Sequence, residues 1–295
     1  MEGIPLRLLF TLFCFIFIFI NFSSKIFAEE ANIEYEPSLI NSYEEDVTGD
    51  GFREYIRLHG NLLSHNSLFY PDIWLDITSP FSQHWKISLR AGYDPDIQFI
   101  DLTRDQVFDI FYAVSKDMNK TQHEYQLYSL ENGTIKQIQL PKHQFIKTKL
   151  IDDFRVEIKL HPHQKPLIIN LPNKNDYIKD EIYEEDGKLL NEKKLHHKSI
   201  HYIEPILINE QNGYGLKTYQ QIKDMYNHLI GEIQTVWYYK NDEWVILTTN
   251  WFDRSTFTNK GQSPQKLSKA FINKNFEGVS FPRSFSFLLI CYDIY

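Results

Sequence analysis

Three short turn signals constrain the fold of this chain, because each lies between two segments in which apolar and polar residues alternate. Asn132-Gly133 and Asp186-Gly187 are two of them, and Lys240–Glu243 forms a longer third turn. Asn-Gly and Asp-Gly accept the positive φ angles of tight hairpins, and alternation places every second side chain on one face of a strand. The predicted strand pairs are 124–130 with 134–140, 180–183 with 188–190, and 233–239 with 244–248.

Residues 85–89 and 154–160 also alternate, whereas only 216–230 has apolar residues at helix-like spacing. Aromatic residues make up 15% of the chain and pack well on pleated surfaces. The sequence therefore predicts an all-β protein built of hairpin repeats, as a sandwich or a propeller-like stack with few blades. It predicts at most one short helix.

One acidic segment occurs twice. Residues 45–56 and 100–111 both fit the pattern D-x-T-x-D-x-x-x-[DE], followed by alternation typical of a strand. Asp46 and Asp101 begin the two copies, and 101 − 46 gives an offset of 55 residues, which is in the range of repeated β units. A third copy is expected near 209–214, where an Asn-Gly turn is kept and the carboxylates are lost.

The spacing of the oxygen-bearing residues is suited to calcium, which takes six to eight oxygen ligands. Positions 1, 3, 5 and 9 of each copy offer side-chain oxygens, and position 7 offers its backbone carbonyl. Gly51, at position 6 of the first copy, permits a sharp turn. The candidate ligands are Asp46, Thr48, Asp50, the carbonyl of Phe52 and Glu54, and Asp101, Thr103, Asp105, the carbonyl of Val107 and Asp109.

These loops resemble those of the FG-GAP and VCBS repeat families, whose D-x-x-x-D-G-x-x-D loops bind calcium between strands of propeller blades. More loosely, the chain resembles small exported VCBS-type proteins of Gram-positive bacteria, which tend to end in a hairpin like 231–237 here. The second copy departs from the pattern at Arg104 and Gln106. A Gln in the left-handed conformation costs about 1–2 kcal/mol, so calcium is expected at the first loop more than at the second.

A metal-free interpretation of both copies stays open. Asp and Thr side chains can hold a turn together by hydrogen bonds to the neighbouring backbone, without any cation.

The first 28 residues are predicted to be a signal peptide. Residues 8–22 are almost entirely apolar, and Ala28 supplies a small residue for cleavage before two acids. A retained N-terminal anchor is the alternative. Residues 29–258 are predicted to form the β-repeat domain, and 259–295 an irregular C-terminal tail. The protein is thus expected to be secreted or at the cell surface.

Charge and cysteine content narrow the function further. The formal net charge is −8, and removal of residues 1–28, with Arg7, Lys25 and Glu2, makes it −9. An acidic surface argues against nucleic acid as a partner. Cys14 lies in the apolar segment and Cys291 near the end, so the mature domain has no internal disulfide and no thiol cluster for zinc.

Several residue groups could in principle be catalytic or ligand-binding, but a solvated or structural role is favoured for each of them. His196, His197 and His201 form HHxxxH without the glutamate of a metalloprotease helix, and His161 and His163 form a second pair. The acidic residues at 152–153 and 184–186 are typical of solvated turns. Trp237 and Trp244 are expected to pack in the core rather than to stack on a sugar.

The sequence thus predicts an exported, non-enzymatic binding or structural module with calcium-binding loops and an unknown extracellular or cell-wall ligand. The alternative is an extracellular hydrolase or metal-dependent enzyme whose site the sequence does not display.

Overall fold

The structure is a computed structural model that describes residues 37–64, 67–142, 146–161 and 163–254. Over these ranges the chain forms four antiparallel sheets, one short α-helix and one 3-10 turn, which confirms the predicted all-β class. Within the same ranges no sheet closes into a barrel or a propeller. The predicted signal peptide and the whole of the predicted tail lie outside the described residues.

The first sheet has four strands in the order β1-β2-β4-β5. Their bounds are β1 Ser38–Glu45, β2 Glu54–Asn61, β4 Asp72–Thr78 and β5 His84–Leu89, and the two-residue β3, Phe69–Tyr70, belongs to the next sheet. Every second residue along β2 is buried, which explains its register, because a shift by one residue would expose Ile56 and Leu58.

The second sheet has the order β3-β6-β7-β8-β9. Its longer strands are β6 Gly92–Ile100, β7 Asp109–Ser115 and β8 His123–Ser129, followed by the 3-10 turn Glu131–Gly133 and by β9 Lys136–Ile138. Asn132 and Gly133 have φ angles of 56° and 71°, which confirms the hairpin predicted at this Asn-Gly turn.

The third sheet is small, with the order β10-β11-β12, and a helix follows it. The strands are β10 Lys147–Ile151, β11 Arg155–Lys159 and β12 Leu167–Asn170, and the helix is α1 Lys174–Lys179. The hairpin predicted around Asp186-Gly187 is reduced to one bridge between Tyr183 and Leu189.

The fourth sheet is a regular meander of long strands, in the order β13-β14-β15-β16. They are β13 His196–Asn209, β14 Gly213–Lys223, β15 Leu229–Lys240 and β16 Glu243–Asp253. The turn at Asn241 and Asp242, with φ angles of 52° and 60°, confirms the last predicted hairpin.

The prediction of helix-like structure over 216–230 is wrong, since this segment contains most of β14 and the start of β15. Leu216 and Ile222 lie on one face of β14 and Tyr219 on the other, and all three are buried. Because both faces of the strand are covered, apolar residues appear at odd and even positions and imitate the i, i+3 spacing of a helix.

The sheets pack through three apolar cores. One core joins the first and second sheets through residues such as Leu58, Leu75 and Ile110. A second core lies on the opposite face of the second sheet, where Phe111 and Leu127 meet Leu216 of β14. The third core joins the third sheet and α1 to the far end of the fourth sheet. Strand β7 is therefore apolar at successive positions because both of its faces are buried.

Among the described residues, no helix has the length and apolar character needed to cross a membrane.

Candidate functional site

The first acidic loop, Asp46–Glu54, connects β1 to β2. The side chain of Asp46 organises it, because Oδ1 accepts a hydrogen bond from the Gly49 N–H at 2.8 Å and Oδ2 accepts one from Gly51 at 2.9 Å. Asp50 is exposed, and its Oδ1 accepts from the Phe52 N–H at 2.8 Å.

The second acidic loop, Asp101–Asp109, connects β6 to β7 and repeats this scheme. Asp101 accepts hydrogen bonds from the backbone N–H groups of Arg104 and Gln106, at 2.6 and 3.2 Å. Asp105 accepts from the Val107 N–H at 2.9 Å. Both copies thus lie between the first two long strands of their sheets, as the repeat predicts, and each is followed by a paired strand.

The carboxylate at position 9 of each loop points toward the residues at the start of the same loop. Glu54 accepts hydrogen bonds from the Val47 N–H at 2.9 Å and from the Thr48 hydroxyl at 3.2 Å. Asp109 accepts from the Leu102 N–H at 2.8 Å and from both the N–H and the hydroxyl of Thr103. Neither Glu54 nor Asp109 is exposed by more than 1%. These acids tie the start of the loop to the start of the next strand.

Burial changes the titration of both acids. It raises the pKa of Asp109 to about 7, against the opposing effect of its three hydrogen bonds, and Asp105 adds repulsion. Burial also raises the pKa of Glu54, with smaller contributions from Asp50 and Asp46. The carboxylates of each loop are therefore close enough to repel one another.

The backbone of the two loops is equivalent even where the residues differ. Gly49 and Gly51 have φ angles of 77° and 86°, and the matching Arg104 and Gln106 have 67° and 71°. The left-handed conformation predicted for Gln106 is confirmed. The second loop thus adopts, with side chains, a conformation that the first loop reaches with glycine.

The two loops lie against each other. A Cβ atom built on Gly49 would be 2.6 Å from Val107 Cγ2, so glycine is required there by space as well as by φ. The second loop also reaches the fourth sheet, since the Arg104 guanidinium lies 5.7 Å from the centre of the Tyr238 ring.

Calcium at these loops stays a prediction. Within the described ranges, no three His, Cys, Asp or Glu side chains are grouped so that they would hold a metal ion. The structure brings each predicted set of ligands into one loop, but it directs Glu54 and Asp109 to the loop backbone.

The candidate histidines do not form one site. His161 and His163 lie beyond β11, His196 is exposed on β13, and the side chain of His197 lies outside the described residues. Of the candidate histidines whose side chains are described, only His201 approaches a carboxylate, with its Nε2 3.5 Å from Oε2 of Glu232.

This pair belongs to a buried polar cluster that sequence reasoning missed. Glu232 on β15 has a side chain only 1% exposed, and its Oε1 accepts from Gln234 Nε2 at 3.1 Å. Its Oε2 has no hydrogen-bond partner in the structure. Burial raises the pKa of Glu232 to about 7 and lowers that of His201 to about 4, so both groups are neutral near pH 6.

A second missed group is the completely buried Asp224, in the turn between β14 and β15. It accepts hydrogen bonds from the Tyr177 hydroxyl at 2.8 Å, the backbone N–H groups of Tyr226 and His228, and His228 Nδ1 at 2.9 Å. Tyr177 lies on α1, so this carboxylate fastens the helix to the fourth sheet. A D-x-x-x-H segment between two strands was the available sequence signal.

An open cavity of about 580 Å³ lies beside this turn. Met225, Tyr226 and Ile182 line it together with acidic and basic side chains, and Tyr226 donates a hydrogen bond to Asp180 at 2.8 Å. None of the candidate histidines lines it.

The remaining candidates have structural roles. Asp152 accepts from the Leu189 N–H, and Asp186 from the Lys188 N–H, so both organise turns. Trp237 is buried and donates to the Thr218 hydroxyl at 2.8 Å, which confirms its predicted place in the core. Trp244 packs against Tyr239.

The chain thus forms an all-β assembly of stacked antiparallel sheets with acidic turns. Residues 144–252, which comprise the third and fourth sheets, match the protein family described as YybI C-terminal domain. No curated protein matches the chain. A solved structure titled Bacillus licheniformis Rhamnogalacturonan Lyase PL11 matches with 14% identity and a TM-score of 0.32, over 75% of this chain and 35% of the lyase chain. This chain spans about a third of that enzyme, and so distant a likeness carries no argument about function.

Proposed function

We propose that this chain is an exported, non-enzymatic module with a structural or binding role at the cell surface, and that calcium binds at its acidic loops. The observation that supports it best is the duplicated loop, with the same hydrogen-bond scheme at the same place in two sheets. Four antiparallel sheets, built largely from consecutive strands, also suit a module made of repeated β units. The ligand of the module would be extracellular or part of the cell wall.

The charges of the loop support calcium more directly. Burial is the main cause that raises the pKa of Glu54, and repulsion from Asp50 and Asp46 adds a smaller effect in the same direction. A divalent cation would relieve this repulsion. Asp46, Thr48, Asp50 and the carbonyl of Phe52 are the proposed ligands, while Glu54, which accepts hydrogen bonds from Val47 and Thr48, would anchor the loop from inside.

The hydrogen bonds of Asp46 predict weak binding. Both of its oxygens already hold backbone N–H groups, so binding of calcium must compete with them. Extracellular calcium modules typically have dissociation constants of about 10⁻⁴–10⁻³ M. At about 1 mM calcium, such a site stabilises the native state by about 0.4–1.4 kcal/mol.

The test is thermal unfolding of the mature chain with calcium, with magnesium and with a chelator. We expect calcium to raise the melting temperature by about 1–4 °C per site, and chelation to abolish the rise. Asp50→Ala should remove more of the shift than Asp105→Ala, because the second loop bends through Gln106. An unchanged melting temperature, with no calcium in the purified protein, would show that both loops are ordinary turns.

The alternative, an extracellular hydrolase or metal-dependent enzyme, stays a prediction. The cavity beside Tyr226 and a second one lined by Tyr43 and Tyr55 contain none of the candidate histidines.

A further inference from the structure

The fourth sheet contains a contact that crosses a strand. His201 lies on β13, the edge strand, and Glu232 on β15, with β14 between them. The pairing of β13 with β14 is irregular on both sides of Ile200, and this irregularity takes His201 out of the regular ladder. The His201 ring therefore reaches across β14 toward Glu232.

The surroundings of this contact are polar but incompletely paired. The positive charge of Lys217 on β14 favours the ionised form of Glu232. The Lys217 Nζ lies 5.1 Å from the centre of the Tyr219 ring. The Tyr219 hydroxyl donates to Glu204 of β13. Oε2 of Glu232 has only the 3.5 Å contact with His201. A buried carboxylate with an unpaired oxygen is unfavourable when ionised and is relieved by a proton.

Among the residues whose side chains the structure describes, the other titratable groups near this contact lie on β14, β13 and β8. From β14 they are Tyr219, Lys217 and Lys223, and from β13 they are Tyr202 and Glu204. His123 and Tyr125 of β8 contact Tyr202 from the second sheet. On β16, Glu232 is paired with the apolar Phe252. No second cation reaches Glu232 among these groups, and Lys223 and His123 both oppose the charging of His201.

We infer that His201 and Glu232 form a proton-dependent latch that holds the edge strand β13 onto the fourth sheet. While both groups are neutral, neither carries a charge that needs hydration, and the cluster stays dry. When Glu232 loses its proton, the bare carboxylate needs water, and the accessible route is displacement of the irregular part of β13. That displacement also loosens the Tyr202 contact with β8.

The two groups act in opposite directions. The pKa of Glu232 falls from about 7 to its ordinary value of 4.5 on opening, so a rise in pH favours the open state. The pKa of His201 rises from about 4 to its ordinary 6.5 on opening, so a rise in pH favours the closed state. From pH 6 to 8, linkage predicts about a tenfold increase in opening from Glu232 and about a fourfold decrease from His201.

The test is amide hydrogen exchange of residues 199–204 at pH 6 and 8, after correction for the intrinsic pH dependence of exchange. In the wild type, opening of β13 should increase about twofold. In His201→Asn it should increase about tenfold, and in Glu232→Gln it should decrease about fourfold. Amides of β4, in the first sheet, should not follow these changes, and Asp186→Asn, an exposed turn acid, should behave as the wild type.

The latch predicts that opening of β13 increases with pH in His201→Asn and decreases with pH in Glu232→Gln. A purely structural contact would change the extent of opening in both variants without changing its pH dependence. Equal pH slopes in all the proteins would overturn the inference. If a variant fails to fold, NMR titration of the wild-type His201 ring decides instead. The latch is supported if the signals of the His201 ring change near pH 7, where Glu232 ionises, and the ring itself becomes protonated only near pH 4. A single ordinary histidine titration contradicts it.

Discussion

Gly49 of the first acidic loop lies directly against Val107 of the second, so the two copies of the repeat are neighbours in space as well as in pattern. A Cβ on Gly49 would come within 2.6 Å of Val107 Cγ2, whereas a Cβ on Gly51 would meet nothing within 4 Å. Both glycines have positive φ, which makes them a matched pair.

Gly51→Ala should therefore cost about 1 kcal/mol of unfolding free energy, from backbone strain alone. Gly49→Ala should cost about 1–2 kcal/mol more, because the added methyl group also overpacks against Val107. Denaturant unfolding measures both. Combination with Val107→Ala should remove the excess at Gly49 and leave Gly51→Ala unchanged. Equal costs at the two glycines would contradict the contact.

Gln106→Gly should stabilise the protein by about 0.5–1 kcal/mol. Glycine removes the strain of a non-glycine residue in the left-handed conformation, but it also increases the conformational entropy of the unfolded chain, which offsets part of this gain. The reciprocal Gly51→Gln, at a position with open space, should destabilise by a similar amount. Chemical unfolding of both variants checks this. A destabilising Gln106→Gly would mean that the Gln side chain makes a favourable interaction that outweighs its backbone strain.

Asp109 should make stability depend on pH. Its native pKa is about 7 against an ordinary 3.8, so the native state keeps a proton that the unfolded chain has released. The stability that this acid contributes is full below about pH 4 and is lost as pH rises through 7. Between pH 5 and 8 the unfolding free energy of Asp109→Asn should therefore decrease by about 2–4 kcal/mol less than that of the wild type.

The matched control for Asp109 is Asp186→Asn, whose carboxylate is exposed in a turn. It should leave the pH profile of the wild type unchanged. Glu232 and His201 also titrate, but they are intact in both variants, so the difference reports Asp109. An Asp109→Asn profile parallel to the wild type would show that this acid is ionised throughout.

Asp224→Ala should destabilise by about 3–4 kcal/mol, because it leaves the Tyr177 hydroxyl and two backbone N–H groups without their acceptor in a buried turn. Asp180→Ala is the control, since Asp180 is exposed and accepts a single hydrogen bond from Tyr226. Its cost should stay below about 1 kcal/mol. Similar costs for the two variants would show that Asp224 does not fasten α1 to the sheet.

The parts of the fold that were predictable from sequence are those with local causes. The hairpin at Asn132-Gly133 depends on φ angles that few residues accept, and the repeated loops depend on a side chain bonding to its own backbone three and five residues later. Such features leave a fixed spacing in the sequence. The helix-like pattern of 216–230 misled because β14 is covered on both faces, which depends on the neighbouring sheets.

The buried polar groups were not predictable for a related reason. His201 and Glu232 are 31 residues apart, and only the irregular pairing of β13 brings them together. Asp224 resembles any acid in a turn until α1 covers it. The effect of each of these polar residues on stability and titration depends on how deeply it is buried, and neither composition nor periodicity indicates that.

Most of the strands that the structure describes pair with the strand that precedes them in the chain, which has a consequence for how the polypeptide folds as it is synthesised. The first sheet is complete at Leu89, before any of β6 has appeared, and the fourth sheet consists of four consecutive strands that end at Asp253. Short loop closures make such local pairing fast. A chain that emerges N-terminus first can therefore fold one sheet at a time. The contact between Gly49 and Val107 then forms when the second sheet packs on the first.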